Sequence, residues 1–297
     1  MTIRILAPAK LNLFLHITGK RSDGFHLLES LVAFAEFGDV LTVKPADMLT
    51  LDIGGPFAGP LEYDKNNTIL KAAQLLKSFC QYHEGAHITL EKRIPIGAGL
   101  GGGSSDAATA LLALKKLWRL NIDKEGLQKI ALQTGSDVPV CLTQQTAWMR
   151  GIGEDITPVA MPAEIGLLLV NPGVPLLTSS VFRKFSGTFS QTGDIPKSID
   201  SFDALIQLIQ SKHNALEAPA IALVPVISDV LKAIGATQEC KLARMSGSGA
   251  TCFGLYQNPI LAKQAASEIK RQHPDWFCQA TRITALSSEQ DSVAESR

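Results

Sequence analysis

The sequence predicts an α+β protein of two domains, and three observations lead there. Its 297 residues suffice for about two ordinary hydrophobic cores. It opens on an alternating run, Ile3, Ile5, Ala7, Ala9, Leu11, Leu13 and Leu15, the period of a strand with one core face. From residue 107 the period changes, and Ala107, Ala110, Leu111, Leu114, Leu117 and Trp118 fall on one helical face.

Taken in order, the opening strand carries Lys10 and Asn12 on its polar face, roughly 6.6 Å apart. Asp23-Gly24 suits a tight reversal, and LLESLVAFAEFGDVLTVKP supplies the strand that completes a hairpin. NNTILKAAQLLKSFCQYH reads as a helix begun near Asn67 or Thr68, and AHITLEKRIP as a strand stopped by Pro95. A helix over DKEGLQKIALQTG leads into SDVPVCL, and ITPVAMPAEIG reads as the crossing between domains, with the boundary near residue 160. The second half begins on a buried strand, GLLLVNPG, continues through helical TSSVFRKF, DALIQLIQ and PVISDVLKAIGA, and pairs two strands across the turn in KLARMSGSGATCFGLY. The helix ILAKQAASEIKRQ and a strand near WFCQATRI close an α/β sandwich, with a first domain over 1–160 and a second over 161–286. Residues 287–297 are polar and read as a disordered tail.

Composition excludes several functions. Lys and Arg total 28 against 28 Asp and Glu, so no global field attracts nucleic acid or an anionic membrane, and any anion must be held locally. There is no apolar run of membrane-spanning length and MTIRILAPAKLN lacks the order of a signal peptide, so a cytoplasmic protein is expected. Five widely spaced cysteines without C-x-x-C suggest reduced thiols rather than a disulfide framework or zinc site.

The stretch between the third strand and the second helix, IPIGAGLGGGSSDAA, holds glycines at 97, 99, 101, 102 and 103. Bare backbone running into a helix N-terminus offers unpaired N–H groups and about half a positive charge, which suits phosphate. A flexible linker would have no reason to end on an amphipathic helix. Gly97, Gly99 and Gly102 match G-x-G-x-x-G, but the acid expected about 20 residues on falls near Asp123, where a helix begins. No Gly-Lys-Ser/Thr is present for a Walker loop, and no H-R-D or D-F-G for a protein kinase.

This loop, taken with the late turn SGSGA, resembles the GHMP kinases, the superfamily of galactokinase, homoserine kinase, mevalonate kinase and phosphomevalonate kinase. APAKLNLFL at 7–15, RSDGFH at 21–26, GLGGGSSDAA at 99–108, GSDVPV at 135–140, HNALE at 213–217 and RMSGSGA at 244–250 are similar to the branch acting on a cytidine-diphosphate-linked methylerythritol. The resemblance implies a ribosomal S5 domain 2-like N-terminal domain and a ferredoxin-like C-terminal domain. It implies ATP and Mg2+ as cofactors, a small-molecule substrate phosphorylated at its 2-hydroxyl, and a monomer or homodimer. Another small-molecule kinase of the superfamily, or a nucleotide-binding regulator without turnover, are the alternatives; a lone regulator would have no need of both Lys10 and Asp137.

The same resemblance assigns roles. Asp137 is the catalytic carboxylate and Lys10 its basic partner; from the residues alone, Asp137 reads equally as a turn residue between Gly135 and Pro139. The ATP phosphates lie along Pro95 and Ile96, then Gly97, Ala98, Gly99, Leu100, Gly101, Gly102 and Gly103, to Ser104 and Ser105, where a serine caps the helix or touches phosphate and metal. Asp106, an acid in the first helical turn, suits the dipole but repels phosphate unless it points away or acts through the metal. Adenine is assigned to Asn66, Asn67 and Lys92, though the asparagines also suit a helix cap and Lys92 a solvated face. On the substrate side stand Asn12 and His26, the aromatic pair Phe25 and Phe182 about cytosine, and Thr178 near the methylerythritol; Phe25 replaces the Tyr common in relatives. Ser246, Gly247, Ser248 and Gly249 border the site. No residue is assigned to a metal.

Overall fold

Two β-sheets lie face to face, each with helices on its outer side, in the computed structural model of the chain, which describes residues 1–59 and 67–284. The first sheet is built on a hairpin of two long strands, β1 (Ile3–Lys20) and β2 (His26–Ala46), paired antiparallel along their length. The other edge of β2 is shared: its C-terminal half pairs with β4 (Gly85–Glu91), its N-terminal half with β5 (Ala147–Gly151). β3 (Leu49–Gly54) adds parallel to β4, and β6 (Asp155–Pro158) antiparallel to β5. Helices α1 (Thr68–Cys80), α2 (Gly102–Leu117) and α3 (Lys124–Thr134) cover the outer face, where Ala107, Leu111 and Leu114 of α2 pack on Phe34, Leu41 and Ile88. A single turn, α4 (Val138–Cys141), follows α3.

The second sheet has the order β10-β7-β9-β8, antiparallel throughout: β7 (Gly166–Asn171), β8 (Leu242–Met245), β9 (Cys252–Tyr256) and β10 (Phe277–Arg282). Its strands alternate as their sequence requires. Leu168 and Val170 face α7 (Glu217–Leu223), α8 (Val226–Ala236) and α9 (Pro259–Gln272), while Leu167, Leu169, Phe253 and Leu255 turn inward to the first sheet. There they meet Leu11, Leu13, Phe14, Leu31 and Trp148, together with Leu205 and Ile209 of α6 (Phe202–Gln210). The short α5 (Thr178–Lys184) lies at the open end. The α+β class is as the sequence predicts. The sandwich of the second half carries helices on its outer face, and its inner face is closed largely by the other sheet. The last strand reaches only Arg282, and the expected tail at 287–297 lies outside the described residues.

Two local readings are corrected. The opening strand does not keep one core face: a bulge between Pro8 and Lys10 reverses its parity, so Ile3 and Ala7 pack under α2 while Ala9, Leu11 and Leu13 pack on the second sheet. Lys10 and Asn12 are thereby turned inward and buried. β4 ends at Glu91, before Pro95 could stop it, because Arg93 N and Ile94 N leave the ladder to donate to Asp39 Oδ1 at 2.6 and 2.8 Å.

Candidate active site

The glycine stretch forms the floor of a cavity of about 470 Å³ lying between the hairpin, the N-terminus of α2 and the turn joining β8 to β9. Gly101, in a left-handed conformation, is the N-cap of α2, and no serine side chain caps the helix. Glycine is obligatory at Gly99: its φ is +73° and a Cβ there would stand 2.4 Å from the Ser246 carbonyl oxygen. The two glycine turns thus touch through their backbones. Ser246 Oγ bridges them, donating to the Gly99 carbonyl at 2.9 Å and accepting from Asn12 N at 3.3 Å, while Thr251 N donates to the Ala98 carbonyl at 3.1 Å.

Above this floor Lys10 Nζ lies 3.0 Å from Asp137 Oδ2 and 2.9 Å from Asn12 Oδ1. Lys10 is held from both directions: the bulge aims its side chain, and its backbone N donates to the Leu100 carbonyl in the glycine loop at 2.9 Å. Asn12 Nδ2 donates to Ser30 Oγ at 2.8 Å, and that hydroxyl donates to the Phe14 carbonyl at 2.6 Å, which fixes the Asn12 amide. Asn12, assigned to the substrate, lines the cavity with both amide ends already engaged and so orients Lys10. Asp137 is the residue just before α4; its side chain caps nothing and remains half-exposed to the cavity.

Lys92, assigned to adenine with a solvated face as its alternative, is neither exposed nor free. Its ammonium sits between Asp39 and Asp106, 2.7 Å from Asp106 Oδ2, directly beneath Gly102. Burial alone would lower Lys92, but the two carboxylates outweigh it and hold the ammonium above its ordinary value. Burial, with Asp39 adding repulsion, pushes Asp106 up to about 8 against the pull of Lys92. Asp106 therefore points under the loop, toward Lys92, rather than only away from phosphate. Its Oδ1 and the Ser105 hydroxyl are buried without partners.

Asn67 does cap α1, accepting from Ile69 N at 2.9 Å, and also lines the cavity; Asn66 lies outside the described residues. At the other end, Thr178 and Phe182 stand one turn apart on α5 and both face the cavity, with the Thr178 and Ser248 hydroxyls 2.8 Å apart. Phe25 and Phe182 are not stacked on each other. Phe182 is stacked instead on His26, ring centroids 5.3 Å apart, and Phe25 is 56% exposed. The reason is the tight turn: Phe25 N donates to Asp23 Oδ1, and β2 begins only at His26. Burial and then Lys20 lower His26 below its ordinary value.

The cavity also takes in Thr68, Ser136, Met149, Leu15, Leu28 and Leu216, which sequence reasoning missed. Asp39 was missed too, although an acid just ahead of the apolar run VLTV is the same kind of signal that marked Lys10.

Known proteins match this chain in sequence and fold. The family model for the GHMP kinase N-terminal domain matches residues 67–145, and that for the GHMP kinase C-terminal domain residues 196–275. The chain belongs to the GHMP kinases. Among relatives within this family, a 4-diphosphocytidyl-2-C-methyl-D-erythritol kinase of Paramagnetospirillum magneticum is 46% identical over 92% of this chain and 95% of its own. The corresponding kinase of Parvibaculum lavamentivorans is 44% identical over 93% and 96%. A crystal structure of 4-(cytidine 5'-diphospho)-2C-methyl-D-erythritol kinase superposes with a TM-score of 0.77 at 34% identity, covering 95% of this chain and all of that one. Homoserine kinase from Cytophaga hutchinsonii, at 19% identity and a TM-score of 0.69, shares the fold. As a GHMP kinase this protein is an ATP-dependent phosphotransferase, and among its described residues no helix is long and apolar enough to cross a membrane.

Proposed function

We propose that this GHMP kinase transfers the γ-phosphoryl group of ATP to the 2-hydroxyl of 4-diphosphocytidyl-2-C-methyl-D-erythritol, a step of non-mevalonate isoprenoid synthesis in the cytoplasm. The observation that carries the reading is the Lys10–Asp137 pair, 3.0 Å apart, facing the N-terminus of α2 across one cavity. The phosphates would lie along the exposed amides of the glycine loop, where the α2 dipole favours negative charge. Asp137 orients the hydroxyl and accepts its proton as the oxygen bonds to phosphorus and the bond to the departing ADP oxygen breaks; proton transfer can be late because such transition states are loose. Lys10 holds that carboxylate in place and offers positive charge to the transferring group.

Among the described residues no cluster of three acidic, histidine or cysteine side chains could hold a metal by itself. Mg2+ takes one or two protein oxygens beside phosphate and water. The unpartnered Asp106 Oδ1 and the cavity-lining Ser104 are the residues that would hold it. A magnesium ion held there would supply positive charge against that developing on the phosphates. Phe182, His26 and Phe25 form the cytosine end, with Phe25 closing over the base without a hydroxyl. Residues 1–160 supply most of the nucleotide site, and 161–286 complete it from the other side.

An ADP-release assay with Mg2+-ATP tests this directly. Turnover with the cytidyl substrate, and at least 100-fold less kcat/KM with homoserine or mevalonate, is the expected result. Equal or better turnover of either homoserine or mevalonate would move the protein to another branch of the family.

A further inference from the structure

The motif HNALE lies outside the groups that would touch ATP or the acceptor, except for Leu216 in the cavity wall. Its polar side chains nevertheless converge on one place. The Asn214 amide, buried, donates at 2.8 Å to the carbonyl of Met245 and at 2.8 Å to that of Gly247, while its Oδ1 accepts from Leu216 N at 2.9 Å. Glu217 Oε2 accepts from Met245 N at 3.0 Å. Two side chains three residues apart thus hold one carbonyl of the second glycine turn, that of Gly247, and both backbone groups of Met245, the β8 residue that leads into it. The motif is itself tied to the strand that carries Lys10, since Leu15 N donates to the His213 carbonyl and Ala215 N to the Leu15 carbonyl.

The held turn has no slack on its far side. A Cβ at Gly247 would stand 2.9 Å from the Gly99 carbonyl oxygen, and one at Gly99 2.4 Å from that of Ser246, so any shift of the turn moves the phosphate loop with it. We infer that Asn214 and Glu217 are positioning residues: through the turn at Ser246 to Gly249 they set the place of Gly99 and hence the grip of the loop on the ATP phosphates. The inference rests on the proposed function only for the identity of the phosphates' owner.

Asn214→Asp keeps the volume but replaces both donors with a carboxylate facing two carbonyls; Glu217→Ala removes the acceptor and Glu217→Gln retains one. The affinity of each variant for adenylyl imidodiphosphate with Mg2+ is measured by calorimetry alongside its melting curve, and kcat and KM with the cytidyl substrate. Asn214→Asp and Glu217→Ala are expected to bind the analogue at least ~10-fold more weakly and to lose roughly 10²-fold in turnover, as for a misplaced reacting group. Glu217→Gln returns most of both. A purely structural role would lower the melting temperature and leave the analogue affinity of the folded protein unchanged. Such a result, or equal impairment of Glu217→Gln and Glu217→Ala, overturns the inference; if Asn214→Asp does not fold, the Glu217 pair decides. A wild-type protein inactive on the cytidyl substrate would sink the proposed function alone, since analogue affinity is read without an acceptor.

Discussion

At the scale of single residues, charge placement under the glycine loop separates two roles. Asp137 is open to the cavity and paired with Lys10, so Asp137→Asn should lower kcat by about 10² to 10⁴ with substrate KM largely kept, the range for loss of a general base; steady-state kinetics with both substrates reads it. Asp39 and Asp106 share the one buried ammonium of Lys92, but unequally. Asp39 also accepts two backbone N–H groups, whereas Asp106 has an oxygen with no partner. Removing the first carboxylate should cost about 3 kcal/mol or more, because it leaves a buried pair broken, whereas Asp106→Asn should change stability by about 1 kcal/mol or less at neutral pH. The pH dependence has a definite sign. A carboxyl raised to about 8 binds its proton more readily folded than unfolded, so its contribution is complete below about pH 4 and is lost as pH rises toward 8. Urea titrations at pH 6 and 8.5 should show the wild type losing stability relative to Asp106→Asn, and parallel curves would refute the assignment.

At the scale of elements, the α2 N-terminus and the turn between β8 and β9 fit as one piece. Gly99→Ala places a Cβ into the Ser246 carbonyl at a positive φ, so about 1–3 kcal/mol of stability should be lost together with most ATP affinity; melting curves with and without nucleotide measure both. The loop and its helix were legible in the sequence because glycine spacing and a 3.6-residue period are local signals, and so was the hairpin turn at Asp23-Gly24. Lys10 stood out as a charge on an apolar strand. The bulge beside it did not, since both its sides keep the same alternation and only pairing with β2 reveals the change of face. The solvated alternative for Lys92 fails for a related reason: its partners lie 53 and 14 residues away, and nothing local distinguishes a buried lysine from a solvated one. The Phe182 stack on His26 rather than Phe25 depends on where β2 starts, a boundary of one residue.

At the scale of the whole molecule, the inner core belongs to both sheets. Phe253 of β9 and Leu169 of β7 pack with Leu11, Leu31 and Trp148 of the first sheet, all fully buried. Phe253→Ala should therefore cost about 3–5 kcal/mol and lower the transition seen by tryptophan fluorescence as much as that seen by far-UV circular dichroism. Two separated transitions, with only one displaced, would show the halves to be independent. Topology of this kind was only partly legible. Alternation announced buried strands, but which faces would meet is a property of pairs remote in the chain.

The contact of Ser246 Oγ with the Gly99 carbonyl spans 147 positions of sequence. Loop closure over such a separation comes late in folding, and on a ribosome the later partner emerges only after most of the polypeptide has been made. Nascent chains stopped before residue 246 lack this contact altogether, so they should hold an ATP analogue more weakly than the finished chain.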